Sequence, residues 1–505
     1  MSKATERAAS RIMVRVDAKQ WQSQAYRDAA YKLVEQGIGG IGVFIGALET
    51  TAVMIDELQR RAGGKLFVAA DYEYGLPMRL EGGISYPRAM ALGMCSPETT
   101  HSIASLIAIE TAAIGVNWNW APVADINSNR LNPIINTRSF GESPEQVALH
   151  VQAYVRGLQE HNVLACAKHF PGHGDTHVDS HVDLPTIDIE EQLARQRELM
   201  PFQEAIEADV ASIMVGHIVV PFLDTSYPAS LSKAVVGGLL RGKMGYNGLV
   251  ITDALDMHAI ADRYPSGEAA VLAIEAGADI ALMPCDVHEA VGALTQAIET
   301  GRISPQMLDK ADERLDAARK KAGISKPGEM RDRSPVVIDQ ATHALFALRA
   351  ADEAIRVLGN ERALPISQYK HIAALAAVSE ADMDSATTWF QSLTQAVEMN
   401  IDCGFIDGTI TESELADLSL GLAEADVIVL ALFGRAVAYR GNLPGAENLP
   451  QVVSALAGSR PVIVVACGSP YGIEMLPATA TIYTYSDTLP SIAASVMKLI
   501  GRFVR

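Results

Sequence analysis

The sequence predicts an α/β protein, a (β/α)8 barrel of the TIM type followed by a smaller α/β sandwich domain, and three observations predict it. Seven short apolar runs alternate with helical patterns between residues 39 and 283. The runs lack the two-residue alternation of a half-exposed sheet, which is how parallel strands covered on both faces read. Third, Asp71, Asn119, Lys168, His169, His217 and Asp253 fall at the C-terminal ends of five different runs. A barrel gathers such ends on one face, whereas an open sheet would concentrate them near one switch point.

The seven runs are 39–45, 66–71, 116–120, 164–168, 213–217, 249–253 and 280–283, and no clear run supplies an eighth strand. Between them, Pro97 to Ile114 reads as a helix capped by Ser96, and Pro144 to His161 as one opened by Ser143-Pro144. A last helix runs from Ser304-Pro305 to Lys321. Its end opens into Gly323-Ile324-Ser325-Lys326-Pro327-Gly328 and a charged stretch to Ser334-Pro335, which marks a linker. The expected division is therefore a barrel at 1–325, a linker at 326–340 and an α/β domain at 341–505. That domain shows a helix from Gln340 to Leu358, apolar runs at 372–375, 426–432, 461–466 and 481–485, and a helix from Ala381 to Met399. It carries no catalytic cluster and reads as structural.

Composition bounds the function. A chain of 505 residues, 49% hydrophobic and 20% charged, is globular and too long for one ordinary core. A net charge of −19 disfavours nucleic acid or an anionic membrane as partner. The N-terminus lacks the apolar stretch of a signal peptide, and no run reaches the length of a membrane span. Five cysteines stand singly at 95, 166, 285, 403 and 467, without paired spacing. A reducing cytoplasm is the expected location.

Chemistry concentrates after Lys168 and His169, where a loop carries His173, Asp175, His177, Asp179 and His181. Core-filling cannot explain so many titratable groups, which are seldom buried without partners. Three readings of the loop stand side by side: a solvated, hydrogen-bonded turn, a metal site built from His and Asp, or a dyad. In the dyad Asp179 orients His181 and tunes it as a general acid and base. Asp253 ends its apolar run and in a barrel projects into the mouth, while Asp256 suits the start of the next helix. A nucleophilic aspartate with a separate proton donor is the arrangement of a retaining glycosidase. Trp118 and Trp120 read as barrel packing before a sugar platform, and His169 and His217 also fit hydrogen-bonded supporting roles.

Lys168-His169-Phe170-Pro171-Gly172-His173-Gly174-Asp175-Thr176 through Asp179-Ser180-His181, Thr252-Asp253-Ala254-Leu255-Asp256-Met257 and Asn136-Thr137-Arg138-Ser139-Phe140-Gly141-Glu142-Ser143-Pro144 together carry a resemblance. The chain resembles glycoside hydrolase family 3, within it the β-N-acetylhexosaminidase branch that includes peptidoglycan-recycling β-N-acetylglucosaminidases. The resemblance is dense over the first 325 residues. It implies a retaining, exo-acting enzyme with a carbohydrate substrate and neither metal nor cofactor. Asp253 would be the nucleophile, His181 the acid/base and Asp179 its partner, with Asp71, Arg79, Arg138, Lys168 and His169 binding the non-reducing sugar. Where the recycling enzymes share Asp-Gln-Glu-Gly-Gly-Arg-Val, this chain reads Asp71-Tyr72-Glu73-Tyr74-Gly75-Leu76-Pro77-Met78-Arg79, a difference that bears on the leaving group. Unlike a carboxylate, an imidazole acid/base does not repel phosphate, so phosphorolysis stays open beside hydrolysis, as does a β-glucosidase activity.

Overall fold

The computed structural model describes residues 2–176, 184–187, 189–324, 339–378, 382–397, 400–406, 410–434, 449–458 and 460–502. By contact the chain forms two compact units. One comprises Met1–Ile84, Thr100–Ile135 and Ser139–Gln340, and the other Ser85–Thr99, Asn136–Arg138 and Ala341–Arg505. The expected linker, 326–340, lies outside the described residues except for Asp339 and Gln340.

The first unit is the barrel. Its strands are β1 Ile12–Val16, β2 Gly40–Val43, β3 Phe67–Ala70, β4 Trp118–Asn119, β5 Leu164–Phe170, β6 Ser212–Val215, β7 Leu249–Thr252 and β8 Ala281–Leu282. They lie in the order β8-β1-β2-β3-β4-β5-β6-β7, every neighbouring pair parallel. The two edges meet through the bridge Ile251–Ile280, so the sheet closes on itself. All seven expected runs are strands. The eighth is the N-terminal segment Ile12–Val16, whose apolar stretch is cut by Arg15. That side chain is exposed, paired with Asp17 at 3.0 Å and laid over the Phe44 ring at 4.5 Å.

Burial follows the expected pattern, with every residue of β3 and β5 buried. Trp118 and Trp120 are enclosed in the barrel core, so they pack rather than form a platform. The Trp118 indole donates to Ser212 Oγ at 2.8 Å, and Ser212 donates on to the Ala165 carbonyl at 2.7 Å, which satisfies an otherwise stranded donor. Gly42 of β2 makes room for the Trp120 ring. A Cβ at Gly42 would lie 2.6 Å from Trp120 and 2.8 Å from Met283. Outside the strands, the helices Pro97–Ala113, Pro144–Gln159 and Pro305–Lys321 start where the sequence places them. Ser143 accepts from the Gln146 amide and Ser304 from the Met307 amide, each at 3.3 Å.

The second unit is built on a six-stranded sheet of β9 Arg356–Gly359, β10 Ile372–Ala377, β11 Ile401–Ile406, β12 Val427–Gly434, β13 Val462–Gly468 and β14 Ala480–Tyr483. The order is β9-β14-β13-β12-β10-β11, with only the β9–β14 pair antiparallel. Alternate residues of β12 face opposite cores: Val427, Val429 and Ala431 lie with Trp389, and Ile428, Leu430 and Leu432 with Val453. That is the expected sandwich. The helix expected over Gln340 to Leu358 stops at Ala354, because Arg356–Gly359 leaves it to pair with Ala480–Tyr483. Segment 85–99 belongs to this unit through Tyr86, which meets His343 Nδ1 at 3.0 Å, and through an ion pair between Arg88 and Asp487. Among the described residues no helix is long and apolar enough to cross a membrane.

Gly42→Ala forces a methyl group into the space of Trp120 and Met283. It is expected to cost about 1–3 kcal/mol in a denaturant titration. An unchanged midpoint would mean that the barrel interior has slack the packing does not suggest.

Candidate active site

The site begins with a charge that has to be paired. Lys168, near the end of β5, is 2% exposed, and an ammonium so enclosed is costly unless carboxylates surround it. Its Nζ lies 2.7 Å from Asp71 Oδ1 and 2.9 Å from Glu73 Oε1, both just beyond β3. The second Asp71 oxygen takes Arg79 Nη2 at 2.5 Å. Burial alone would push the Asp71 carboxyl up, but Lys168 and Arg79 outweigh it and hold the pKa at about 2. Asp71 is therefore a carboxylate at pH 7.

Neighbouring strands fix this cluster. Asn119, ending β4, accepts from the Tyr72 amide at 3.0 Å and donates to the Tyr72 carbonyl at 3.2 Å, so the chain after Asp71 is clamped on both sides. The Arg79 guanidinium lies 4.7 Å from the centre of the Phe44 ring, one residue beyond β2. Asp71, Arg79 and Lys168 are thus brought together, as expected. Glu73 and Phe44 join them without having been expected.

His169 is positioned by a residue that sequence reasoning missed. Asp125, fully buried, accepts from His169 Nδ1 at 2.7 Å, from the His169 amide at 3.2 Å and from the His173 amide at 2.7 Å. A carboxylate oxygen here can only accept, so Nδ1 carries the proton of this contact, which also fixes the ring plane. The signal was a lone acid in the apolar stretch Ala121-Pro122-Val123-Ala124-Asp125-Ile126. In that stretch the Ala124 amide bonds the Lys168 carbonyl at 2.6 Å, so Asp125 is carried alongside β5.

The loop after β5 is tightly built as far as it is described. His173 is buried and its Nδ1 meets Thr176 Oγ1 at 2.7 Å. Burial, partly countered by Asp125, pushes its pKa down to about 4, so it is neutral at pH 7 and shapes the loop. Asn132 donates to the carbonyls of His173, Gly174 and Thr176 at 2.8, 3.1 and 3.2 Å. A Cβ at Gly174 would stand 1.5 Å from the Ile126 carbonyl oxygen, so only glycine fits. His177, Asp179 and His181 lie outside the described residues.

Asp253 stands one residue past β7, half-buried, its amide bonded to the Val215 carbonyl at 2.8 Å and its Oδ1 accepting from the Ala254 amide at 2.8 Å. His217, beyond β6, takes Ser230 Oγ on Nδ1 at 2.7 Å and the Ala254 carbonyl on Nε2 at 2.8 Å, which fastens the residue after Asp253. The Asp253 charge is felt at His173, and together with those of Lys168 and Asp71 at Cys166. Asp253 therefore stands on the rim of C-terminal strand ends that also carries Asp71, Lys168 and His169. Arg138 ends the turn Asn136–Arg138, which packs on the helix Ala89–Gly93 within the second unit. Among the described residues no group of three or more His, Cys, Asp or Glu is arranged to hold a metal ion.

A closed parallel barrel with ion-paired polar groups on its C-terminal strand ends has the architecture of a barrel enzyme, whose active site lies on that face. The chain belongs to glycoside hydrolase family 3: residues 9–318 match that family's N-terminal domain. It is 33% identical over 364 residues to β-hexosaminidase A of Pseudoalteromonas piscicida, a match covering 65% of this chain and 60% of that protein. A β-N-acetylglucosaminidase/β-glucosidase of Cellulomonas fimi is 27% identical over 486 residues, covering 91% and 86%. The solved structure of a family 3 β-N-acetylglucosaminidase from Paenibacillus sp. str. FPU-7 superposes with a TM-score of 0.83 at 30% identity, over 99% of this chain and 97% of that one.

Asp71→Asn leaves Lys168 and Arg79 short of a counter-charge. Because the Asp71 pKa is depressed, its stabilisation is complete above the unfolded carboxylate range and is lost as pH falls through about 2. The variant is expected to lose about 2–3 kcal/mol at neutral pH, with the gap closing between about pH 4 and pH 2 in a urea titration series. Equal midpoints at neutral pH would show that the cations are satisfied without Asp71.

Proposed function

We propose that the chain is a retaining, exo-acting β-N-acetylglucosaminidase that removes terminal N-acetylhexosamine from cell-wall-derived or chitin-like oligosaccharides. The observation that carries this reading is Asp253 standing one residue past β7, on the same rim of C-terminal strand ends as Asp71, Lys168 and His169. The β-hexosaminidase of Pseudoalteromonas and the β-N-acetylglucosaminidase of Paenibacillus support the acetamido sugar as substrate.

In this reading an Asp253 carboxylate oxygen attacks the anomeric carbon as the glycosidic bond breaks, and the His181 imidazolium gives its proton to the departing oxygen. The glycosyl-enzyme is then opened by water, whose proton goes to the neutral His181 while Asp253 is released. Asp179 holds the imidazole in the tautomer that can do both. Asp71, Lys168 and Arg79 offer one fixed anion and two fixed cations to sugar hydroxyls. His169, aimed by Asp125, offers Nε2. The Asp71, Lys168 and Arg79 charges are paired and held before substrate arrives, so they need no reorganisation in the transition state.

The test is release of nitrophenol from the β-N-acetylglucosaminide and from the β-glucoside, with and without phosphate, with product anomers identified. Turnover of the acetamido sugar with retained configuration is expected. Asp253→Ala should lower kcat by about 10³-fold or more and abolish glycosyl-enzyme accumulation. His181→Ala should cost about 10²-fold or more on oligosaccharides and far less on substrates with good leaving groups. Equal, complete loss on both substrate types would remove His181 from its role. A sugar 1-phosphate product would reassign the enzyme as a phosphorylase, and preference for the plain glucoside would assign it the second activity in the Cellulomonas protein's name.

A further inference from the structure

A second buried acid packs against the loop after β5. Glu198, at the junction between the helices Glu191–Gln196 and Met200–Glu207, is 2% exposed. Its Oε1 receives Arg197 Nε at 2.6 Å and lies 3.5 Å from Ser128 Oγ, while Oε2 has no hydrogen-bond partner among the described residues. The side chain packs directly under Gly172, where an added Cβ would lie 2.9 Å from Oε2 and 3.0 Å from the Glu198 Cβ. Arg197 continues the chain of charges, its Nη2 reaching Asp175 Oδ2 at 2.6 Å. One acid is therefore tied to the loop twice, by packing at Gly172 and by an ion chain ending at Asp175.

We infer that Glu198 is a positioning residue for the reaction proposed above: packed under Gly172 and linked through Arg197 to Asp175, it latches the loop 170–176 in the arrangement that aligns His169. The inference rests on that reading of the site. Stability alone does not explain a carboxyl here, since a buried acid with one bare oxygen is a worse core element than an apolar side chain of the same volume. What a carboxyl adds is a second, charged state.

The sign of the switch follows from burial. Burial pushes Glu198 up to about 7, Arg197 working against it and Asp125 and Asp175 with it. When the loop lifts and water reaches the carboxyl, its pKa returns towards the ordinary value near 4.5. A group whose pKa is higher in the closed arrangement holds the loop closed while protonated and favours release as pH rises through about 7. Neutral His173 adds no competing charge near that pH, and Arg197 remains charged throughout.

The experiment compares wild type, Glu198→Gln and Arg197→Met across about pH 5 to pH 9, reading kcat/KM and amide hydrogen exchange of residues 170–176. Glutamine keeps the shape and cannot charge. In Glu198→Gln the alkaline limb of kcat/KM should move up by about one pH unit or more. The ratio of wild-type to variant exchange rates, in which the intrinsic base dependence cancels, should climb between about pH 5 and pH 7 and level off above. Arg197→Met removes the counter-charge, raises the Glu198 pKa further and should carry that climb beyond about pH 7. A wild-type limb together with a flat exchange ratio in Glu198→Gln would overturn the inference. If no substrate is turned over, the proposed function fails, and the exchange ratio alone decides the latch.

Discussion

Lys168 occupies a place where water cannot serve it. A desolvated ammonium without partners costs several kcal/mol, more than a domain can spare, so wherever Lys168 goes its carboxylates must follow. Asp71 and Glu73 follow, which joins the end of β3 to β5. The same demand passes outward. Asp71 draws in Arg79, whose guanidinium rests on Phe44 beyond β2, and Asn119 at the end of β4 locks the peptide after Asp71. Four consecutive strands, β2 to β5, are held in mutual position at one rim by a single set of charges. An apolar cluster of the same volume would be at least as stable, so stability alone does not account for the ions. What they provide is a preset, directional surface of charge, which is what recognition of a hydroxylated ring requires.

Sequence made the frame legible because the frame is periodic. A strand buried on both faces leaves an uninterrupted apolar run, and seven such runs, five of them with polar ends, mark both the barrel and the side on which Asp71, Lys168, His169 and Asp253 gather. β1 escaped because Arg15 interrupts Ile12–Val16, and nothing local reveals that an arginine will stack on an aromatic ring from the neighbouring strand. The helix after Gln340 was drawn four residues too long for the same kind of reason. Arg356–Gly359 is a strand only because Ala480–Tyr483 lies beside it, and that pairing spans more than a hundred residues of sequence.

Partners were harder to read than positions. Asp125, Glu73, Phe44 and Glu198 each meet a residue distant in sequence, and nothing local names that partner. The histidines make the point within one residue type. His217 has both nitrogens committed, one to Ser230 and one to the Ala254 carbonyl, and so serves the chain beside Asp253. His173 is held neutral by burial and spends Nδ1 on its own loop. His169 has Nδ1 fixed by Asp125, so the face it can turn to a ligand is chosen for it. The sequence offers three imidazoles of equal chemistry, and tertiary surroundings assign three different tasks.

Two acids contact the loop that leaves β5, and the difference between them is a difference in satisfaction. Asp125 gathers three N–H donors from His169 and His173 and so has little reason to move. Glu198 has one cation on one oxygen and packing on the other, so its charge is only partly compensated. A well-satisfied anion fixes geometry, whereas a poorly satisfied one makes geometry depend on its own protonation. Because both act on the same few residues, the rigidity of the site and its capacity to respond are separable. The first resides in the Asp125 hydrogen bonds and the second in the contact between Glu198 and Gly172, where a side chain in place of the glycine hydrogen would leave the carboxyl no room.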